Sequence, residues 1–234
     1  MNFNSQGNPN LKPSDNYNLD LKWDFNPTPT ELISLTAFYK LIKNPISRIE
    51  VASAGGYLSY ENIADKATVA GVEIEIRKNL FVRPVSNAAH GMNKLSLGLN
   101  GSYIYTNAKM PLATVTTGSQ LEGAAPWIVN FDLSHNFTKG ERSFVNTLVL
   151  NYVSDKIYTI GTQGYQDIME QGVLTLDFVS QAKLNKHLSL NLKARNLLNP
   201  SYKLSRKANE NGEKVILNDY KKGINISLGV SCTF

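Results

Sequence analysis

A chain of 234 residues with 24 Lys+Arg against 19 Asp+Glu carries a net charge of +5. That bias is too mild and too dispersed to mark a nucleic-acid surface. The single cysteine, Cys232, excludes an intramolecular disulfide, and no run of about eighteen apolar residues is present to make a transmembrane helix. The first residues, Met1 to Gly7, are polar and uncharged, unlike a secretion signal.

From Tyr17 onward the dominant pattern is period-two hydrophobicity, the mark of a strand with one apolar and one polar face. Tyr17, Leu19, Leu21, Trp23 and Phe25 alternate with Asn18, Asp20, Lys22 and Asp24. Ile33, Leu35, Ala37, Tyr39 and Leu41 follow, with Phe38 and Ile42 breaking an otherwise polar opposite face. Val72, Ile74 and Ile76 alternate with Glu73, Glu75 and Arg77. Leu95 to Tyr105, Trp127 to Leu133, Leu174 to Phe178 and Leu188 to Ala194 repeat the pattern. Phe144 to Val153 is apolar on both faces and has no orientation from pattern alone. Ile224, Ile226, Leu228, Val230, Cys232 and Phe234 close the chain as one apolar row. The pattern gives about nine strands, several about ten residues long, the length a tilted membrane strand needs.

Connections alternate in length. Residues 26–30, 138–142 and 185–187 form short turns, whereas 43–59, 108–125, 155–171 and 203–219 are long loops. Short turns at one end and long loops at the other are the outer-membrane barrel pattern. Residues 80–94 break it, being long on the short side. Aromatic residues gather near strand ends, as interfacial girdles do. Mid-strand charges occupy the polar faces, where a watery interior tolerates them. These are Asp20, Lys22, Glu73, Glu75, Asp132, Lys193 and Arg195, expected to face the lumen. The expected fold is all-β, an antiparallel transmembrane β-barrel.

Four segments carry a family resemblance. Gly7-Asn8-Pro9-Asn10-Leu11-Lys12-Pro13-Ser14 resembles the segment before a barrel strand in TonB-dependent receptors, with Ser14 where Glu is usual. Val69 to Glu75 resembles a strand that follows it. Ala194-Arg195-Asn196-Leu197-Leu198-Asn199-Pro200-Ser201-Tyr202 resembles the penultimate-strand motif, and Gly223 to Phe234 the closing strand. The resemblance implies active nutrient uptake across the bacterial outer membrane, without a cofactor and without enzymatic activity. It implies a plug domain, the TonB energy-transducing complex, the barrel-assembly machinery and membrane lipid as partners. It reads Ile226, Leu228, Val230 and Phe234 as the assembly signal. A full barrel of this kind has about twenty-two strands. Residues 1–234 are therefore expected to be the C-terminal part of one, with plug, TonB box and signal peptide absent.

Enzyme signatures are missing. His90, His135 and His187 lack metal-ligand spacing, and no nucleophile elbow or phosphate loop occurs. A basic stretch, Lys203, Arg206, Lys207, Lys214, Lys221 and Lys222, reads as a solvated loop. Residues 62–71 lack the second Asn-Gly spacing of glycan importers, which leaves siderophore-like cargo as the default. The competing readings are a passive porin-type barrel and a soluble carbohydrate-binding β-sandwich.

Overall fold

The computed structural model describes residues 4–51, 57–85, 91–110, 119–162, 164–208 and 212–233. Those residues form sixteen strands and no helix. In chain order they are β1 (Asn4–Ser5), β2 (Asp15–Phe25), β3 (Leu32–Lys43), β4 (Ile46–Val51), β5 (Tyr57–Asn62), β6 (Lys66–Pro84), β7 (Met92–Ala108) and β8 (Trp127–Lys139). Then follow β9 (Arg142–Val153), β10 (Lys156–Thr159), β11 (Ile168–Glu170), β12 (Val173–Lys183), β13 (Leu188–Arg195), β14 (Ser201–Lys207), β15 (Lys214–Lys221) and β16 (Asn225–Cys232).

Nine strands make one antiparallel wall, ordered β2-β3-β6-β7-β8-β9-β12-β13-β16. Chain order is kept throughout, so the wall is an up-and-down meander with β2 and β16 at its edges. These are the nine strands expected from alternation. Register fixes the faces, because directly paired residues point the same way. One row runs Leu21, Ala37, Val72, Tyr103, Trp127. The next row on that face, toward the tight turns, runs Trp23, Leu35, Ile74, Gly101, Val129, Tyr152, Leu174. Between them, on the opposite face, lies the row Lys22, Thr36, Glu73, Ser102.

The apolar face of the wall is not covered by other parts of the chain, and small polar residues sit buried on the opposite face. Val72 and Ile74 are 49% and 42% exposed although β6 is an interior strand, while Ser34 and Ser102 on the polar face are 3% and 8% exposed. Aromatic pairs mark both ends of the apolar face: Tyr103–Trp127 at 4.6 Å where connections are long, Trp23–Phe25 at 6.1 Å and Phe137–Phe144 at 6.4 Å toward the tight turns. From Tyr103 to Asn93 the strand runs about 33 Å, which at a usual barrel tilt is about 25 Å of depth, one apolar membrane band.

Two further sheets, β1-β5-β4 and β10-β11-β14-β15, stand at the long-connection end. They are joined by a parallel bridge between Ile49 and Ile160. Around that bridge Ile63, Ala64, Leu121 and Ile157 close a buried apolar cluster over Ala67 and Ala108 of the wall. Ile160 and Ile168 are 1% and 0% exposed.

Three expected loops, 43–59, 155–171 and 203–219, therefore contain β-structure. Their strands are short, and those of the first two bury apolar residues against one another, so they lack the long alternation of the wall. The overlong turn at 80–94 also dissolves. β6 continues to Pro84 and β7 begins at Met92. A bulge between Asn79 and Phe81 inserts Leu80 and shifts the phase, hiding the strand from a period-two reading. In β9 the ambiguity resolves by register: Phe144, Leu148, Leu150 and Tyr152 share the apolar face, and Val145, Val149 and Val153 share the polar one.

Candidate functional site

The polar face of the wall carries all seven charges expected there. Asp20 pairs with Phe38, and Phe38 with Gly71. Lys22 and Glu73 share a row across Thr36. Glu75 shares the next with Ser34, Asn100 and Asn130. Asp132 follows, beside Gly98 and Arg77. Lys193 pairs with Val179 and Ser227, and Arg195 with Asn225. The seven do not form one cluster. Asp20 and Lys22 lie on edge strand β2, and Lys193 and Arg195 on β13, with no ion pair to either of the last two among the described residues.

Glu75 and Asp132 line one hollow beside Gly98. A Cβ on Gly98 would lie 2.1 Å from Asp132 Oδ1, so the carboxylate occupies the space a side chain would take. The hollow is about 210 Å³, lined by Glu75, Arg77, Asn100, Asn130 and Asp132. Arg77 Nη2 binds Glu75 Oε1 at 2.7 Å. Two carboxylates, one guanidinium and two amides give this hollow donors and acceptors without a nucleophile. No group of three or more His, Cys, Asp and Glu among the described residues is placed to hold a metal ion.

Phe38, which breaks the polar pattern of β3, packs across Gly71. A Cβ there would lie 2.3 Å from the Phe38 ring and 2.4 Å from the Tyr103 carbonyl oxygen. Gly71 thus serves close approach, and the register around it is regular.

The other motifs are joints between wall and loop layer. At the N-terminal one, Lys12 N–H donates to Asn62 Oδ1 at 2.8 Å, and Asn62 Nδ2 donates back to Lys12 O and to Asn44 O. Ser14 Oγ donates to the same Asn44 oxygen at 2.6 Å. At the second joint β13 stops because Asn196 and Asn199 adopt φ of 58° and 43°. Asp177 Oδ1 accepts the Asn196 N–H at 2.8 Å, and Asn196 Nδ2 donates to Gly223 O at 2.7 Å. The chain turns off the wall there into β14.

Sequence reasoning missed the contacts that hold the loop layer. Arg48 bonds Glu122 through Nη2 at 3.0 Å, donates through Nε to Tyr158 O at 3.0 Å, and stacks on the Tyr158 ring at 3.8 Å. Arg206 pairs with Glu50, both largely buried. Arg206 therefore leaves the solvated basic loop to which the sequence assigned it. Lys203 pairs with Asp219 at 3.6 Å, and Lys222 sits over Tyr202 at 3.8 Å. Tyr202 and Tyr220 stack at 5.5 Å. With Tyr158, Glu170, Lys203 and Asn218 they line a cleft of about 260 Å³. Partners separated by 74 and 156 positions leave no local signal in sequence.

The closing strand β16 presents Ile226, Leu228 and Val230 on the apolar face, paired with Ala194, Leu192 and Leu190. Phe234 lies outside the described residues, as does His90.

The model of the TonB dependent receptor-like β-barrel family matches residues 1–197, which include β1 to β13 and both joints' asparagines up to Asn196. No curated protein and no solved structure matches the chain. The match is to a family of outer-membrane receptors and transporters, not to soluble carbohydrate-binding sandwiches or passive porins. The chain belongs to the TonB-dependent receptor β-barrel family, which resides in the bacterial outer membrane.

Proposed function

We propose that the polar face of the wall lines the path of an energised import process, and that the cargo is a small, siderophore-like chelate. Membership in a family of outer-membrane receptors and transporters is the base of this reading. The observation that carries the cargo assignment is the cleft of Tyr158, Tyr202 and Tyr220 beside Lys203, with Lys222 over one ring. Flat aromatic faces stack on planar ligand groups, and Lys222, over the Tyr202 ring, adds positive charge beside them. In this reading Asp20, Lys22, Glu73, Glu75, Asp132, Lys193 and Arg195 meet water, cargo or the plug domain. The plug couples the barrel to TonB. Ile226, Leu228, Val230 and Phe234 guide assembly.

The test is equilibrium binding of ferric catecholate and ferric hydroxamate complexes to the intact receptor, with iron uptake followed in cells with and without TonB. Tyr202→Ala with Tyr220→Ala should weaken catecholate binding about tenfold. Uptake should stop without TonB. Unchanged binding in the double variant would refute the cargo assignment, and TonB-independent uptake would refute energised transport.

A further inference from the structure

The tyrosine cleft is assembled from short strands with little to hold them in place. Tyr158 comes from β10, Glu170 from β11, Tyr202 and Leu204 from β14, and Tyr220 from β15. Within this sheet only β11 joins β10 to β14, and it is three residues long. It meets β14 through two residue pairs, Met169–Ser205 and Glu170–Leu204, and its register with β10 shifts between Ile157 and Thr159. Pairing this short is marginal by itself, so it does not fix the Tyr158 side of the cleft against the Tyr202 side.

β4 ties the two sides together without lining the cleft. Arg48 and Glu50, two positions apart, share one face of β4, while Ile49 between them is buried in the apolar cluster. Arg48 reaches β10. Its Nε donates to Tyr158 O at 3.0 Å, its Nη2 donates to the same oxygen, and its guanidinium lies 3.8 Å from the Tyr158 ring centroid. Glu122 holds Arg48 at both ends: Oε2 accepts the Arg48 backbone N–H at 2.8 Å, and Oε1 accepts from Nη2 at 3.0 Å. Glu50 reaches β14 through its ion pair with Arg206, the two side chains being 14% and 16% exposed. The backbone of the same two residues grips β10 again. Ile160 N–H donates to Arg48 O at 3.1 Å, and Glu50 N–H donates to Ile160 O at 3.1 Å. A planar guanidinium fixed through several nitrogens keeps one orientation, and an ion pair this well covered is costly to break.

We propose that β4 is the brace of the cleft: Arg48 positions Tyr158, Glu50 positions β14 with Tyr202, and the two sides keep their spacing because one strand holds both. Both are positioning residues, since neither lines the cleft. The brace deepens the cargo reading, and only its ligand arm rests on that reading. A ligand between the rings reaches segment 119–125 through Arg48 and Glu122, although that segment lines none of the cleft.

The experiment is hydrogen exchange read by mass spectrometry on the intact receptor in lipid vesicles, without ligand and with saturating ferric catecholate. Arg48→Lys keeps the charge that faces Glu122 and loses the fork and the plane. It should speed exchange about tenfold in 201–207 as well as in 156–160, the equivalent of one charge-assisted hydrogen bond, and leave β7 and β8 unchanged. Glu50→Gln should give the reciprocal result, loosening 156–160 as well as 201–207. Lys214→Gln, exposed on β15, should change neither. Catecholate should slow exchange in 119–125 of wild type. Arg48→Lys should lose that protection and keep the protection of 201–207, a separation that a purely structural role would not produce. Loosening confined in each variant to the direct partner of the substituted residue overturns the brace. So does equal loosening of β7 and β8, which would mean a general loss of fold. Reciprocal loosening in a receptor whose exchange is untouched by catecholate supports the brace and counts against the cargo assignment alone.

Discussion

The wall and the loop layer are built from the same kind of strand and bury opposite things. In the wall, Ser34 and Ser102 are covered while Val72 and Ile74 are open. In the loop layer, Ile49, Ile157 and Ile160 are covered, and charged partners lock the strands from the side. Water explains the second region: apolar side chains leave it and pack together. Lipid explains the first, because hydrocarbon gives an exposed leucine no reason to hide. Alternation alone therefore does not say which face is inside; the uncovered leucines, isoleucines and valines of the wall, in a family of outer-membrane barrels, do.

That contrast can be broken at several points. The largest effect is expected in the loop layer. Arg206→Ala leaves Glu50 as a largely buried, unpaired carboxylate and should cost about 3 kcal/mol. Hydrogen exchange should rise in β4, β10 and β14 and stay unchanged in the central wall. Equal loosening of β7 and β8 would mean that the two regions are not separately stabilised.

In the wall the decisive pair is Ile74→Arg against Glu73→Arg, neighbours on opposite faces. A charge on the lipid face near mid-bilayer costs about 2–4 kcal/mol, whereas the polar face tolerates it. Urea unfolding in lipid vesicles should show a large shift for the first and a small one for the second. Equal shifts would remove the distinction between the faces.

Gly71→Ala should destabilise the wall by about 1–3 kcal/mol through overpacking. Phe38→Leu should relieve that only in part, because the Tyr103 carbonyl remains in the way. Full rescue in the double variant would show that the backbone yields. The smallest effect is expected at the joint. Asn199→Ala should cost about 1–2 kcal/mol from its positive φ and the lost bond to Gly223 N–H, and Asn199→Gly should cost less. Exchange in β14 and β15 reads this difference, and equal effects would argue against the backbone cause.

The nine wall strands were legible because lipid on one side and polar groups on the other impose a strict period of two. The pattern failed where that contrast failed. Val145, Val149 and Val153 put apolar residues on the polar face of β9, and Leu80 slips the phase of β6. The same period puts the seven mid-strand charges on the polar face of the wall. The hollow at Gly98 was not legible, since it is made by a missing side chain. The loop layer was read as loops because its strands are short and its ties, Arg48 to Glu122 and Glu50 to Arg206, join distant segments. Its motifs were visible as words, while their work as asparagine joints appeared only with the hydrogen bonds of Asn62 and Asn196.

The most direct test of the inverted wall uses its own fluorophores. Trp23 and Trp127 both lie on the apolar face, one near the tight turns and one near the long connections. The intact receptor and its Trp23→Phe and Trp127→Phe variants would be reconstituted in vesicles of lipids brominated at defined acyl positions. The fluorescence lost in each variant isolates one tryptophan. Both should be quenched by bromolipid, more strongly by bromine near the interface than at the bilayer centre, and poorly by aqueous iodide. Tryptophans quenched by iodide and untouched by bromolipid would place the apolar face in water or against protein, and would contradict the account.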